Sequence, residues 1–231
     1  MVIYQQEDHE MEYAEWIDGI FNREPVNEFE LDWTDEFEEK IYYLSLTERA
    51  RLIAETLENC GRDLMRFSNE QIAGGIGLIL WEGYDMGGFR DPSVSVEDKR
   101  RMIAGISTLY RDIFAVRCWD EDGNLRMKEN RLHFRCYMFW DAGTISLYGL
   151  KEQGEEQKIL EDAVFDVLEK ALYLPHYGCR QSALHGLGHT FSRYDSYGRR
   201  VEQIIDRFLE STPIDGELLE YALNAREGWV Q

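Results

Sequence analysis

The chain lacks long hydrophobic runs and several familiar catalytic signatures. Its longest nearly apolar stretch, residues 72–81, is too short to span a bilayer and is interrupted by glycines. The N-terminus has no basic region followed by an apolar one, so we predict no secretory signal and a cytoplasmic protein. Neither a phosphate-binding GxxxxGK[ST] loop nor a GxSxG nucleophile motif occurs. The sequence therefore predicts a protein without a membrane span, without these catalytic motifs and without a cofactor.

Proline and cysteine are also scarce. The 4 prolines lie at predicted breaks between helical segments. The 4 cysteines form no CxxC pair, so we expect reduced, buried thiols instead of a disulfide framework or a zinc site. They are Cys60, Cys118, Cys136 and Cys179.

Acidic residues are in large excess. With 25 basic and 45 acidic residues, the formal net charge is −20, which disfavours binding to nucleic acids and to anionic membranes. The first 60 residues contain 17 of these acids and only 4 of the bases, so this region would attract a basic protein partner. The residues that we expect to contact it here are Asp32, Trp33, Asp35, Glu36, Glu38 and Glu39.

Hydrophobic periodicity predicts an all-α fold. Three segments begin with a capping-box pattern, at Ser45, Ser68 and Ser95, and each is followed by apolar residues at helical spacing. We predict about nine helices with short connections, packed as stacked antiparallel pairs in a single domain over residues 1–231. Residues 28–33 alternate between acidic and apolar side chains, which fits either a short strand or an extended acidic arm over residues 24–34.

Residues 175–194 resemble the second half of a HEAT-like helical repeat. The matching positions are Arg180, Ala183, Leu184, Leu187 and Gly188. This resemblance implies an α-α superhelix that binds a protein or another macromolecule on its concave side. It also implies that three polar residues of the segment are exposed there and contact the partner. These are Gln181, His185 and His189.

The same segment also offers a metal-binding alternative. His185 and His189 are four residues apart, so both side chains can reach one ion from the same helical face. However, Gly186 occupies the position at which an HExxH motif has its glutamate, and a catalytic zinc usually has three protein ligands. No third ligand is indicated, because the remaining histidines are scattered along the chain.

Three functions remain open at this point. The first is a non-enzymatic acidic protein that binds a basic partner, with a bacterial immunity protein neutralising a toxin as one concrete form. The second is a metal-dependent hydrolase using His185 and His189. The third is a structural subunit of a larger assembly. The sequence favours the first, because no complete catalytic motif accompanies the histidines.

Overall fold

The structure, a computed structural model, describes residues 10–24, 35–80, 85–118, 131–142, 145, 147, 154–193 and 197–230. Every regular element in these ranges is helical, which confirms the predicted all-α class. None of the helices in these ranges combines the length and apolar character needed to cross a membrane. The predicted arm over residues 24–34 lies outside the described residues except for Glu24.

The described ranges contain ten α-helices of seven residues or more, against about nine predicted. A π-helical turn at Tyr110–Phe114 follows the fifth helix. The helices are α1 (Tyr13–Phe21), α2 (Asp35–Tyr43), α3 (Leu46–Asp63), α4 (Asn69–Leu80), α5 (Val96–Leu109), α6 (Ala115–Arg117), α7 (Arg131–Tyr137), α8 (Phe139–Ala142), α9 (Glu155–Tyr173), α10 (Tyr177–Arg193), α11 (Gly198–Ser211) and α12 (Gly216–Arg226).

The three predicted capping boxes begin three of these helices. At α3, the hydroxyl of Ser45 accepts a hydrogen bond from the backbone N–H of Glu48 at 3.1 Å. At α4, Ser68 and Gln71 each accept a hydrogen bond from the other's backbone N–H. Ser95 caps α5 in the same way as Ser45 caps α3. These bonds satisfy N–H groups that have no partner within the helix, and so they fix where each helix starts.

Nine of the helices alternate between two rows along the chain. In one row, α3 packs on α5, α5 on α9 and α9 on α11. In the other, α1 packs on α4, α4 on α7, α7 on α10 and α10 on α12. The rows contact each other through pairs such as α9 with α10 and α1 with α3. A stack of helical pairs produces this order, whereas the superhelical twist implied by the HEAT-like resemblance stays a prediction.

Helix α10 lies deep within this arrangement. It contacts α7, α8, α9, α11 and α12, so helices cover it from several sides. Its apolar residues Ala183, Leu184 and Leu187 are fully buried in a core that extends from Met11 to Ala225. The segment with the two histidines is therefore a central helix of the fold.

Candidate metal centre

The polar side of α10 faces other helices. Gln181 and His185 are buried, and His185 is only 2% exposed. The prediction that both residues lie on an exposed concave surface is therefore wrong. The physical reason is that α8 and α12 pack over this side of α10, which the periodicity of a single helix does not reveal. His189 is partly exposed, with 17% of its side chain accessible.

The fold brings a third ligand to the two histidines. The Nε2 atoms of His185 and His189 are 3.2 Å apart, and Asp141 Oδ1 lies 3.6 Å from His189 Nε2. The ligand atoms of all three residues lie within 4.8 Å of one another. Ligand atoms bound at about 2.0–2.1 Å around a tetrahedral zinc ion would be about 3.3 Å apart. The two measured distances are close to this spacing, so these residues form a candidate metal centre.

Gly186 allows Asp141 to approach α10. The indole of Trp140, the residue before Asp141, packs against Gly186, and a Cβ atom added at Gly186 would lie 2.6 Å from Trp140 Cγ. The ring of Tyr110 is nearly parallel to the same indole, and the two ring centroids are 6.4 Å apart. The Tyr110 hydroxyl forms a 2.6 Å hydrogen bond with Ser182 on α10. These contacts hold α8 against α10 and thereby fix the position of Asp141.

Tyr221 of α12 orients the buried histidine. Its hydroxyl lies 2.7 Å from His185 Nδ1 and 3.3 Å from the hydroxyl of Tyr137. Burial raises the pKa of Tyr221 far above its ordinary value, with a further contribution from Tyr137, so this phenol stays neutral. When His185 Nδ1–H donates to the Tyr221 oxygen, the lone pair on Nε2 faces His189 and Asp141. Metal-binding histidines characteristically have such a hydrogen bond at the second ring nitrogen.

One side of the centre is open to solvent. The side chain of Asp141 is 28% exposed and that of His189 is 17% exposed, whereas His185 forms the buried side. Three protein ligands with an accessible side leave room for water or substrate, as in catalytic zinc sites. Two histidines and one carboxylate with open positions also suit non-haem iron. The donor atoms therefore fit a divalent transition metal.

The predicted acidic contact residues lie elsewhere. Asp32 and Trp33 are outside the described residues, and Asp35 begins α2. Glu36, Glu38 and Glu39 are exposed on the same helix, as predicted. Two of them, Glu36 and Glu39, line a groove of about 430 Å³ between α1 and α2. No residue of the metal centre lines this groove, so the structure separates the acidic candidates from the histidines.

The sequence analysis did not identify two residues of the centre, Asp141 and Tyr221. Asp141 lies at least 44 positions before the histidines and Tyr221 at least 32 positions after them, and neither belongs to a local motif. Asp141 follows Trp140 in the sequence, but this neighbour points to the histidines only once the structure shows Trp140 packed on Gly186. No protein-family model, curated protein or solved structure matches the chain. The function must therefore be inferred from the site itself.

Proposed function

We propose that this protein is a metal-dependent hydrolase with its centre at Asp141, His185 and His189. One observation carries the proposal: the fold adds a carboxylate, 3.6 Å from His189, to a histidine pair that has no third ligand in sequence. A pair of histidines four residues apart is common by chance, and the carboxylate from a second helix completes the three protein ligands that a catalytic metal site usually has. This observation favours the second of the three functions that the sequence left open.

The surroundings of the ligands support a catalytic role over a purely structural one. A structural zinc ion usually has four protein ligands and is closed to water. Here, Tyr221 supports the buried ligand, while the exposed side chains of Asp141 and His189 leave one side accessible. A divalent ion held at such a position would supply a bound water of lowered pKa as the nucleophile for hydrolysis. Asp141 and His189 would hold the ion at the surface that substrate reaches.

Metal analysis of the purified protein tests the binding step. We expect a stoichiometric transition metal after purification in chelator-free buffer, and its loss in the His185→Ala/His189→Ala variant. Asp141→Asn should lower the metal content as well. Asp166→Asn is the matched control, because Asp166 is an exposed aspartate on α9 that pairs with Lys170. Full metal loading of the double variant would refute the proposed ligands.

Hydrolysis is tested separately from binding. Chromogenic carboxylate and phosphate esters should be cleaved by the metal-loaded protein and not after removal of the metal by a chelator. Activity should return when the metal is restored, and Asp141→Asn should not recover it. If the protein binds metal stoichiometrically but cleaves neither ester class, the metal site is supported and the hydrolase proposal is refuted.

The acidic binding function is the second candidate, and the groove between α1 and α2 favours it. Glutamates line this groove together with Met11, Tyr43 and Leu44, and Lys40, which also lines it, pairs with Glu15 at 2.8 Å. Carboxylates around an apolar and aromatic surface suit a lysine or arginine side chain of a basic partner. The glutamates are Glu10, Glu15, Glu36 and Glu39. In this function the protein is an inhibitor of a basic protein, such as an immunity protein that neutralises a toxin.

Charge reversal tests this second candidate. With a basic toxin encoded beside the gene as the ligand, replacing Glu36, Glu38 and Glu39 by lysine should slow association and weaken its salt dependence. The same substitutions should leave metal content unchanged, because they lie away from the centre. Unchanged association kinetics would exclude this surface. A structural-subunit role would instead be supported by a stable oligomer in light scattering.

A further inference from the structure

A cavity of about 540 Å³ lies where α10 and α12 begin. Tyr177 and Arg180 of α10 form one part of its wall. Residues 213–218, which comprise the loop after α11 and the first turn of α12, form another part. The residues that line this cavity do not include Asp141, His185 or His189, so it is separate from the proposed hydrolase centre.

Arg180 presents an unpaired positive charge to the cavity. Its guanidinium group forms no hydrogen bond and no ion pair with any residue that the structure describes. The Nε atom is sealed from solvent, so the terminal nitrogens are the ones that a bound molecule can reach. Partly buried charges in proteins are normally paired, because the loss of water around them is otherwise uncompensated. Arg180 therefore lacks a partner of opposite charge in this part of the chain.

Arg200 shows which group is missing at Arg180. The guanidinium carbon of Arg200 lies 4.0 Å from the ring centroid of Phe165, and its Nη1 atom lies 2.6 Å from a carboxylate oxygen of Asp162. Arg180 has a comparable aromatic contact, with its guanidinium carbon 5.8 Å from the ring centroid of Phe208, but it has no carboxylate. A carboxylate supplied by a ligand in the cavity would complete the same arrangement.

The starts of two helices add to the attraction for a carboxylate. The first N–H groups of a helix have no partner within it, and the helix dipole makes this end positive. Helices α10 and α12 have 17 and 11 residues, and both begin at the cavity. The N-cap residue of α12, Asp215, forms no capping hydrogen bond through its side chain, so its carboxylate does not occupy these N–H groups. The helix starts thus supplement the charge of Arg180.

Acidic residues at the rim restrict the kind of anion that fits. Asp215 and Glu217 line the cavity and are exposed, whereas Arg180 is partly buried. Two carboxylates near one guanidinium would repel a multiply charged anion such as phosphate. They would instead attract the ammonium group of a molecule that also has a carboxylate. The charges therefore favour a zwitterion over a simple anion.

Apolar side chains complete the lining. They are Pro175, Pro213, Ile214 and Leu218. The volume of the cavity is within the range of about 300–1,000 Å³ that is usual for small-molecule sites. We propose that this cavity binds a free amino acid with an apolar side chain. Its carboxylate pairs with Arg180, its ammonium group pairs with Asp215 and Glu217, and its side chain contacts the apolar wall.

Calorimetric titration with leucine and its derivatives tests the proposal. The protein is first freed of metal with a chelator and dialysed, because leucine can also chelate an ion at the candidate metal centre. We expect leucine to bind in a 1:1 ratio. Leucinamide lacks the carboxylate and should bind about 10–100-fold more weakly, since a hydrogen-bonded charge pair is lost. N-acetylleucine lacks the ammonium group and should bind about 2–5-fold more weakly, because the acids at the rim are exposed.

The wild-type titrations can overturn the proposal without any variant. No binding of leucine at millimolar concentration would refute the site. Binding of phosphate or N-acetylleucine as tight as that of leucine would refute the zwitterion, because the acids would then take no part. Binding of leucinamide as tight as that of leucine would refute the role of Arg180.

Variants assign the contacts. Arg180→Gln keeps a hydrogen-bond donor and removes the charge, so leucine binding should weaken by about 10–100-fold. Asp215→Asn keeps a residue that is favoured at an N-cap and should have a smaller effect of the same sign. Arg199→Gln is the matched control, because Arg199 is exposed on α11 and does not line the cavity. The His185→Ala/His189→Ala variant should bind leucine normally, which distinguishes this site from the metal centre. Wild-type affinity in Arg180→Gln would refute the proposal.

Discussion

Trp140 packs directly onto the backbone of Gly186, and this contact holds Asp141 beside the histidines. A methyl group at position 186 would lie 2.6 Å from the indole, so Trp140 would have to move. We expect Gly186→Ala to destabilise the fold by about 1–3 kcal/mol, the usual cost of overpacking a core. The same variant should bind metal more weakly, because displacement of Trp140 also displaces Asp141. Denaturant unfolding and metal titration measure the two effects.

Gly198→Ala is the control for this prediction. Its added Cβ would meet the ring of Phe191 at 3.4 Å, an ordinary van der Waals distance. We therefore expect little change in either stability or metal affinity. If Gly186→Ala behaves like Gly198→Ala in both measurements, then the packing of Trp140 does not determine the position of Asp141.

Tyr221 should support metal binding without contacting the ion. Replacing it with phenylalanine removes the hydroxyl that lies 2.7 Å from His185 Nδ1 and keeps the ring. We expect metal affinity to fall by about 10–100-fold, as is typical when the hydrogen-bond partner of a metal-binding histidine is removed. Competition with a metal-sensitive dye provides the measurement. Tyr173→Phe also removes a tyrosine hydroxyl, one near Ser211, and should leave the affinity unchanged.

Metal should stabilise the folded protein. An ion that binds the native state at 100 times its Kd adds about 2.7 kcal/mol to the free energy of unfolding. We expect zinc to raise the melting temperature of the wild-type protein and EDTA to reverse the increase. The His185→Ala/His189→Ala variant should show no increase. An equal rise in both proteins would mean that the ion binds somewhere other than the candidate centre.

Asp63 should make stability depend on pH in the acidic range. Hydrogen bonds from Arg62 and Tyr13 lower the pKa of this carboxyl group, and the Tyr13 hydroxyl donates to Asp63 Oδ2 at 2.9 Å. Because the folded-state pKa lies below the unfolded value of about 3.9, the stabilisation is fully present above that pH. It is lost as the pH falls through the lower, folded-state pKa.

Unfolding experiments at two pH values test this dependence. Asp63→Asn should cost about 1–2 kcal/mol at neutral pH, where a charged hydrogen bond is lost. At a pH of about 2, the difference from wild type should be smaller, since the wild-type carboxyl group is then becoming protonated. The exposed Asp18→Asn variant serves as a control. A cost for Asp63→Asn that is the same at both pH values would contradict the prediction.

Local features of the fold were predictable from the sequence. The hydroxyls of Ser45 and Ser95 cap helices where the patterns indicated, because a capping box depends on residues only three positions apart. The burial of Ala183 and Leu187 likewise follows from periodicity within α10. Such interactions are determined within a single helix, so they do not require knowledge of which helices are neighbours.

The candidate centre was only half predictable. The spacing of His185 and His189 identified the pair, but a polar helical face looks the same whether it contacts water or another helix. His185 is buried because α12 packs on α10, and Tyr221 of α12 is its hydrogen-bond partner there. Asp141 becomes a neighbour only when α8 packs on α10. Both contacts depend on tertiary packing, which no local pattern encodes.

The two glycines between the histidines restrict what sequence can form such a centre. Gly186 receives Trp140, Gly188 receives Val230, and Leu187 between them is fully buried. Every position from His185 to His189 therefore has a structural requirement, and so does the Trp-Asp pair on α8. A distant homologue that retains the centre should be recognisable by these two short motifs together, His-Gly-Leu-Gly-His and Trp-Asp, even where the surface helices have diverged.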